Sequence, residues 1–390
     1  MKVCMVHNAY GRPSGEELMV ERIVALLRDA GHEVRAFSRE SAAIVGLGDK
    51  LNAFVRGFHG GPAIADFARL LDEFEPDLVQ VQNVYPLISP VVCRVAAERG
   101  IPVVMRCANY RLICPTGLHI SHGQQCEACI GGREYHCVLK NCEENLAKSV
   151  GYAARNWWAR ASGAFTRHVS VYVTQTEFQR RQLARGGVPI ERMVVIPNMV
   201  DPVAERVDHQ GPGEFVLYVG RVSREKGVDV LIEAARRLPL VPFVVAGDFT
   251  AARQIQESAP KNVRFCGHVS GSALDDLYCR ARIVVVPSVC YEGFPSVLIE
   301  AMLRTKPVIA SRIGGLPEVV REGATGHLFT PRGSAELAEK ISWLWGRPEE
   351  CAELGRTGRE VARHEYSRDV YYVRLMAAYE QAVATAIHKR

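Results

Sequence analysis

No run of about 18 apolar residues occurs in this chain, so nothing in the sequence is fit to span a bilayer as a helix. The opening residues, MKVCMVHNAY, turn polar after a short apolar stretch and do not read as a secretory leader. These two absences point to a soluble cytoplasmic protein, at most resting on the inner face of a membrane. A strong charge of one sign is also missing: 48 Lys and Arg against 43 Asp and Glu leave a net +5. No zinc-finger, homeodomain or RNA-recognition signature is present, which together with the weak charge excludes nucleic acid as a partner. The mild basic excess suits anionic small molecules or an anionic membrane surface. Low-complexity runs and short-period repeats are lacking too.

What is present is a globular mixture, 48% hydrophobic and 23% charged, which rules against disorder. At 390 residues the chain exceeds one ordinary core and predicts about two domains. Its 12 cysteines, in a reducing compartment, read as thiols, some of them metal ligands.

The first half alternates strands and helices. Residues 2–6, 33–37, 77–81 and 103–106 read as strands. Residues 16–29 and 91–98 read as helices, the first with Val20, Ile23, Val24 and Leu27 on one face. The second half repeats the plan, with strands at 215–219, 242–247, 263–266, 283–287 and 308–311 and a helix at 227–237. Such alternation means parallel sheets covered on both faces, hence an α/β fold of two doubly wound domains. The predicted boundaries are 1–197, a polar linker 198–213, 214–367, and a terminal helix 368–390 packing back on the first domain. Ligands of open parallel sheets sit at the carboxyl ends of the strands.

Two segments at such ends carry chemistry. YEGFPSVLIEAM, from Tyr291 to Met302, follows the strand 283–287. Gly293 lets backbone approach a ligand, and Pro295 suits the first turn of a helix. The free N–H groups of that turn favour an anion. Glu292 precedes the helix, and Glu300 lies two turns on, where a carboxylate can take both hydroxyls of a ribose. GRVSREKG, Gly220 to Gly227, follows the strand 215–219 and offers Arg221 and Lys226. A planar fork and a point charge suit a diphosphate, and would stabilise charge growing on a leaving phosphate. Either pair alone is ordinary surface; the two together after strands of one sheet are much rarer.

On these motifs the chain resembles the retaining glycosyltransferases of family four, with the GT-B fold, over roughly residues 1–370. Glu292 and Glu300 stand at the spacing of the family's E-x7-E motif, and Arg221 and Lys226 match its diphosphate-binding pair. Gly314 to Glu318, GGLPE, also fits the pattern. The resemblance implies two Rossmann-like domains facing across a cleft, the first on the acceptor side and the second binding a nucleotide-diphosphate sugar, UDP by family habit. It implies catalytic roles for Arg221, Lys226 and Glu292. It implies substrate-binding roles for Gly15, Asn109, Asn198, Glu300 and the stretch Gly293, Phe294, Pro295, Ser296 and Val297. The chain has no D-x-D, the metal–diphosphate clamp of the other large glycosyltransferase fold. Arg221 and Lys226 would replace the metal, so no cofactor is expected for catalysis.

The first domain departs from the pattern. PSGEE, Pro13 to Glu17, has Ser14 where relatives have a glycine. In CANYRLICP, Cys107 to Pro115, Ala108 stands where the family usually has a histidine thought to touch the transferred sugar. Gln80 and Gln82 replace other frequent histidines. By resemblance, retaining transfer uses a donor phosphate oxygen as base, so loss of a histidine is survivable. The acceptor implied is a glycan or a polyprenyl-diphosphate-linked glycan, for a surface polysaccharide or glycolipid.

An insert near 114–142 holds Cys126-x2-Cys129-x7-Cys137-x4-Cys142, with Cys114 before it. Such thiols suit structural zinc, or less readily an iron–sulfur cluster; the plainer reading is reduced thiols in a lid over the acceptor pocket. The segment 145–168 is basic, has no acid and carries Trp157 and Trp158. It fits peripheral membrane contact or, equally, core packing. Competing whole-protein readings are a nucleotide-sugar epimerase or glycan phosphorylase of the same architecture, and a non-catalytic nucleotide-sugar sensor, which Ala108 keeps open.

Overall fold

The structure, a computed structural model, describes residues 1–10, 15–41, 46–201, 212–250 and 253–387. Most of the predicted linker, and Pro13 and Ser14 of the PSGEE turn, lie outside the described residues. The chain divides into two compact units. One comprises Met1–Ser121, Cys126–Asn198 and the segment from Tyr371; the other comprises Met199–Val370 with His122–Gln125.

In the first unit the strands are β1 (Lys2–Ala9), β2 (Glu33–Glu40), β3 (Leu78–Val81), β4 (Val103–Arg106), β7 (Val171–Thr174) and β8 (Met193–Val195). They pair in the order β2-β1-β3-β4-β7-β8, all parallel. β3, β4 and β7 are buried at every residue, which explains why they are uncharged apart from Arg106 at the end of β4: a sheet covered on both faces leaves no solvent side for alternation. The cysteine-rich insert also holds the short strand β5 (Ile120–Ser121), and the short strand β6 (Gln124–Gln125) falls in the other unit. The terminal helix Arg368–Ile387 buries Leu375, Tyr379 and Ala382. Tyr379 hydrogen-bonds Gln80 of β3.

The second unit repeats the architecture with β9 (Phe215–Val219), β10 (Phe243–Ala246), β11 (Val263–Gly267), β12 (Ala281–Val286), β13 (Val308–Ser311) and β14 (Gly326–Phe329). Their order is β11-β10-β9-β12-β13-β14, again parallel. The predicted strands are all found here, and β14 is an addition that sequence reading missed.

Each sheet has one place where the winding reverses. In the first unit β1 is followed outward by β2, while β3 leads to β4 on the other side. In the second, β9 leads to β10 and β11, while β12 leads to β13 and β14. The loops leaving those central strands diverge to opposite faces and open a crevice at the strands' carboxyl ends. In the second unit those two loops begin at Gly220 and at Pro287 and lead through the two segments singled out from the sequence, Gly220 to Gly227 and Tyr291 to Met302.

Candidate functional site

The crevice of the second unit is built by close backbone approach. Gly227 sits at φ 68°, and a Cβ there would lie 1.9 Å from the Pro287 carbonyl oxygen. Gly247, after β10, leaves so little room that a Cβ would come within 1.7 Å of the Gly220 carbonyl. Only glycine allows these loops to pack so tightly. Val289 N–H donates to the Glu225 carbonyl at 3.0 Å and ties the loop after β12 to the loop after β9.

Lys226 and Glu292 meet in this crevice. The lysine Nζ donates to both carboxylate oxygens, at 2.7 and 2.9 Å. Ser288 Oγ donates to Glu292 Oε1 at 2.5 Å. The two side chains are 29% and 11% exposed, so the pair is held mostly out of water. Burial alone would raise the Glu292 pKa, but the Lys226 ammonium and the Lys226 and Ser288 hydrogen bonds hold it below the ordinary carboxylate range. Burial works against the Lys226 charge, and the Glu292 carboxylate reverses that and holds its pKa up. Both groups therefore stay ionised near neutral pH.

Arg221 is placed differently from Lys226. Its side chain is 64% exposed and its Nη2 donates to Glu225 at 2.6 Å, one helical turn on. Tyr218 Oη donates to the Arg221 carbonyl at 2.7 Å, fixing the backbone there. The guanidinium still acts electrostatically on Glu292 and Lys226.

The helix after the Glu292 loop runs Ser296–Leu303, with Pro295 as its N-cap rather than inside its first turn. Leu298, Ile299 and Met302 are fully buried, each worth about 2 kcal/mol of apolar burial, which anchors the loop before them. Phe294 packs on Tyr366 with ring centroids 5.4 Å apart, and Val297 packs against the same core. Phe294 and Val297 side chains thus serve the core, which leaves the backbone of Gly293 to Ser296 as the part that can face a ligand. Glu300 accepts from the Tyr278 hydroxyl at 2.9 Å. The structure brings Lys226 and Glu292 together; Glu300 is engaged instead with Tyr278. Ser288 and Tyr278, which position the two glutamates, were not legible beforehand. No motif marks a residue that acts by orienting another.

In the first unit, Gly15 opens the helix Gly15–Asp29 and is exposed. Asn109 Oδ1 accepts from the Arg111 N–H at 3.0 Å, a local turn bond. Asn198 Oδ1 accepts from Arg106 Nη2 at 2.6 Å. A small cavity at the ends of β3 and β4 is lined in part by Gln82, Arg106, Ala108, Asn109 and Arg111.

The cysteines of the insert are free thiols. Cys129 and Cys137 form a small apolar cluster with Ala153, and Cys142 packs against it. Here thiols act as small hydrophobes in a loop with little other core. Cys126 accepts from Lys140 Nζ at 3.2 Å. Burial and then the neighbouring thiols push Cys129 up to about 12. Among the described residues no three His, Cys, Asp or Glu side chains meet the geometry of a metal site, while Cys114, Cys126 and Cys142 act electrostatically on Cys129, and Cys114, Cys129 and Cys142 on Cys137. The basic helix runs Leu146–Ala161; Trp158 stacks edge-on with Phe58 at 5.7 Å, while Trp157 is 55% exposed. No described helix is long and apolar enough to cross a membrane.

Comparison with known proteins gives a consistent picture. Residues 14–199 match the model of the glycosyl transferase 4-like domain, and residues 203–361 match that of glycosyl transferases group 1. The glycogen synthase of Mycobacterium tuberculosis is 35% identical over 187 residues, 45% of each chain. An uncharacterized glycosyltransferase of Methanocaldococcus jannaschii is 34% identical over 176 residues, 44% of this chain and 49% of its own. The chain thus matches about half the length of these curated relatives. Among solved structures, the Anabaena protein HepE in complex with UDP and glucose superimposes with a TM-score of 0.69 at 19% identity, covering 97% of this chain and 99% of its own. Sucrose-phosphate synthase from Thermosynechococcus elongatus gives 0.73 at 19% identity, covering 98% and 99%. With both halves matched by glycosyltransferase models and two parallel-sheet units of this topology, the chain belongs to the glycosyltransferases of the GT-B fold.

Proposed function

We propose that this protein is a retaining glycosyltransferase that moves a sugar from a nucleotide-diphosphate donor, UDP-linked by analogy with the UDP-bound neighbour, to a glycan or lipid-linked acceptor. The observation that carries the reading is the buried Lys226–Glu292 pair at the switch point of the second sheet. A lysine kept charged there is an electrostatic partner for a pyrophosphate that no metal need bridge. Glu292, kept ionised, accepts hydrogen bonds from a sugar hydroxyl and shares the ammonium with the incoming phosphate. Arg221, exposed and paired only within its own turn, swings from Glu225 to the diphosphate at small cost, since such surface pairs are worth about 0.5 kcal/mol. Glu300, oriented by Tyr278, receives the ribose hydroxyls. In the transfer itself the glycosidic C–O bond to phosphate breaks, and the acceptor oxygen bonds the same face. Its proton passes to a donor phosphate oxygen, so the second unit needs no protein base.

Calorimetric titration with UDP and UDP-sugars tests the donor assignment. Glu300→Ala is expected to weaken UDP binding by about ten-fold or more, the loss of a charge-assisted ribose contact. Unchanged affinity refutes the ribose role, and absence of nucleotide binding by the native chain refutes the function.

Ala108 favours one second reading. It lines the small cavity of the first unit where the family resemblance calls for histidine. A nucleotide-sugar-binding protein without turnover would bind UDP yet stay inactive after Ala108→His, whereas a slowed enzyme would gain rate.

A further inference from the structure

The first unit has a switch point of its own, and its surroundings are unexpectedly cationic. Arg106, the last residue of β4, is 2% exposed. Its guanidinium donates to Gln82 at 3.4 Å and Asn198 at 2.6 Å, both uncharged, and acts on the buried Tyr371 hydroxyl; among the described residues its Nε has no hydrogen-bond partner. Arg111 is half-buried; it donates to the Tyr10 hydroxyl at 3.0 Å and lies 5.5 Å from that ring. Arg155, from the helix Leu146–Ala161, lies 4.1 Å over the Tyr85 ring and 4.7 Å over Tyr152. Tyr85 forms a wall of the same cavity that Arg106 and Arg111 line.

Three guanidiniums thus converge with amide, hydroxyl and aromatic partners in place of carboxylates. The carboxylate whose charge acts on Arg106 and Arg111 is Glu16, which accepts from the Tyr10 hydroxyl at 3.2 Å, and burial works against its ionisation. Burial, with the like charge of Arg111, also bears down on Arg155. Arginine does not relieve such crowding by losing its proton. An anion entering the cavity relieves it, and planar forks are suited to phosphate oxygens. The cavity is small.

We infer that the Arg106–Arg111 cavity, backed by Arg155, is an anion subsite of the first unit that holds a phosphate group of the acceptor. The inference rests on the transferase reading for the word acceptor, but the anion site stands without it. The phosphate has two sources, free phosphate and the headgroup of a lipid-linked acceptor, and both are titrated against the full chain: inorganic phosphate, and geranyl diphosphate as a short polyprenyl probe. UDP is titrated in parallel. Geranyl diphosphate is expected to bind, and Arg111→Gln to weaken it by about ten-fold, Arg111→Lys by less, with UDP affinity within about two-fold of native. Arg155→Gln is the second variant, checked for folding by circular dichroism. In the native chain the Arg106 Nε–H resonance shifts on adding inorganic phosphate, a readout that needs no variant. Native affinity for both probes in folded Arg111→Gln and Arg155→Gln, or an Arg106 resonance that stays put, overturns the site. Phosphate binding with geranyl diphosphate no tighter overturns the acceptor assignment. Loss of UDP binding alone, in the native chain, sinks the donor reading and leaves this one intact.

Discussion

Replacing Lys226 by Met keeps the aliphatic stem and deletes the charge, and so isolates the buried pair. Glu292 would be left 11% exposed with the Ser288 hydroxyl still donating to it. Breaking a buried pair from one side costs about 3–5 kcal/mol when both partners are fully enclosed. Lys226 is partly exposed and Ser288 survives, so the lower end, about 3 kcal/mol, is expected. For a unit of this size that is roughly 6–12 °C in the melting of the second unit, followed by calorimetry because two units need not melt together. Glu292 is held below its unfolded value in the native chain, so its contribution is present above about pH 4.3 and is lost as pH falls through the folded pKa. Lys226 is held above its unfolded value, so its contribution is present below about pH 10.4 and is lost as pH rises through the folded pKa. In Lys226→Met the carboxyl is buried without its cation, and its pKa moves up. The deficit should therefore be largest near neutrality and shrink on acidification toward pH 5. The double variant Lys226→Met, Glu292→Gln should recover most of the loss, giving a coupling of about 2 kcal/mol. A single variant as stable as the native chain, or a deficit that does not change with pH, would refute the claim that this pair is an enclosed ion pair.

Other consequences are smaller in scope. Gly227→Ala places a Cβ against the Pro287 carbonyl at a left-handed φ; a loss of about 3 kcal/mol and weakened UDP binding are expected, and native-like melting would contradict the crevice geometry. In the cysteine-rich insert, Cys126 should alkylate well before Cys137, which is fully buried and whose thiol burial pushes up. Equal protection of Cys126, Cys129, Cys137 and Cys142, lifted by a chelator, would establish the zinc site instead. Trp157→Ala should lower retention on vesicles containing anionic lipid several-fold without changing UDP affinity, if the exposed ring and the basic helix meet a membrane; equal retention removes the membrane contact.

The sequence by itself determined the two-sheet plan and the positions of its loaded loops. Apolar runs such as 103–105 in β4 and 283–286 in β12 can only be interior strands of a covered sheet, and glycines at 220, 227 and 293 mark places where backbone must come close. Spacing alone paired Glu292 with Glu300 and Arg221 with Lys226, because both pairs lie within single local segments. Only the tertiary structure decided that Lys226 belongs with Glu292, 66 residues away, while Arg221 turns to Glu225 and Glu300 to Tyr278. Only it brought Arg106 and Arg111 to one cavity and Arg155 behind its Tyr85 wall. Those arginines sit in different elements with no shared spacing, and a side chain's partner across a sheet is set by strand order and winding. Local sequence carries no trace of either until the chain has folded.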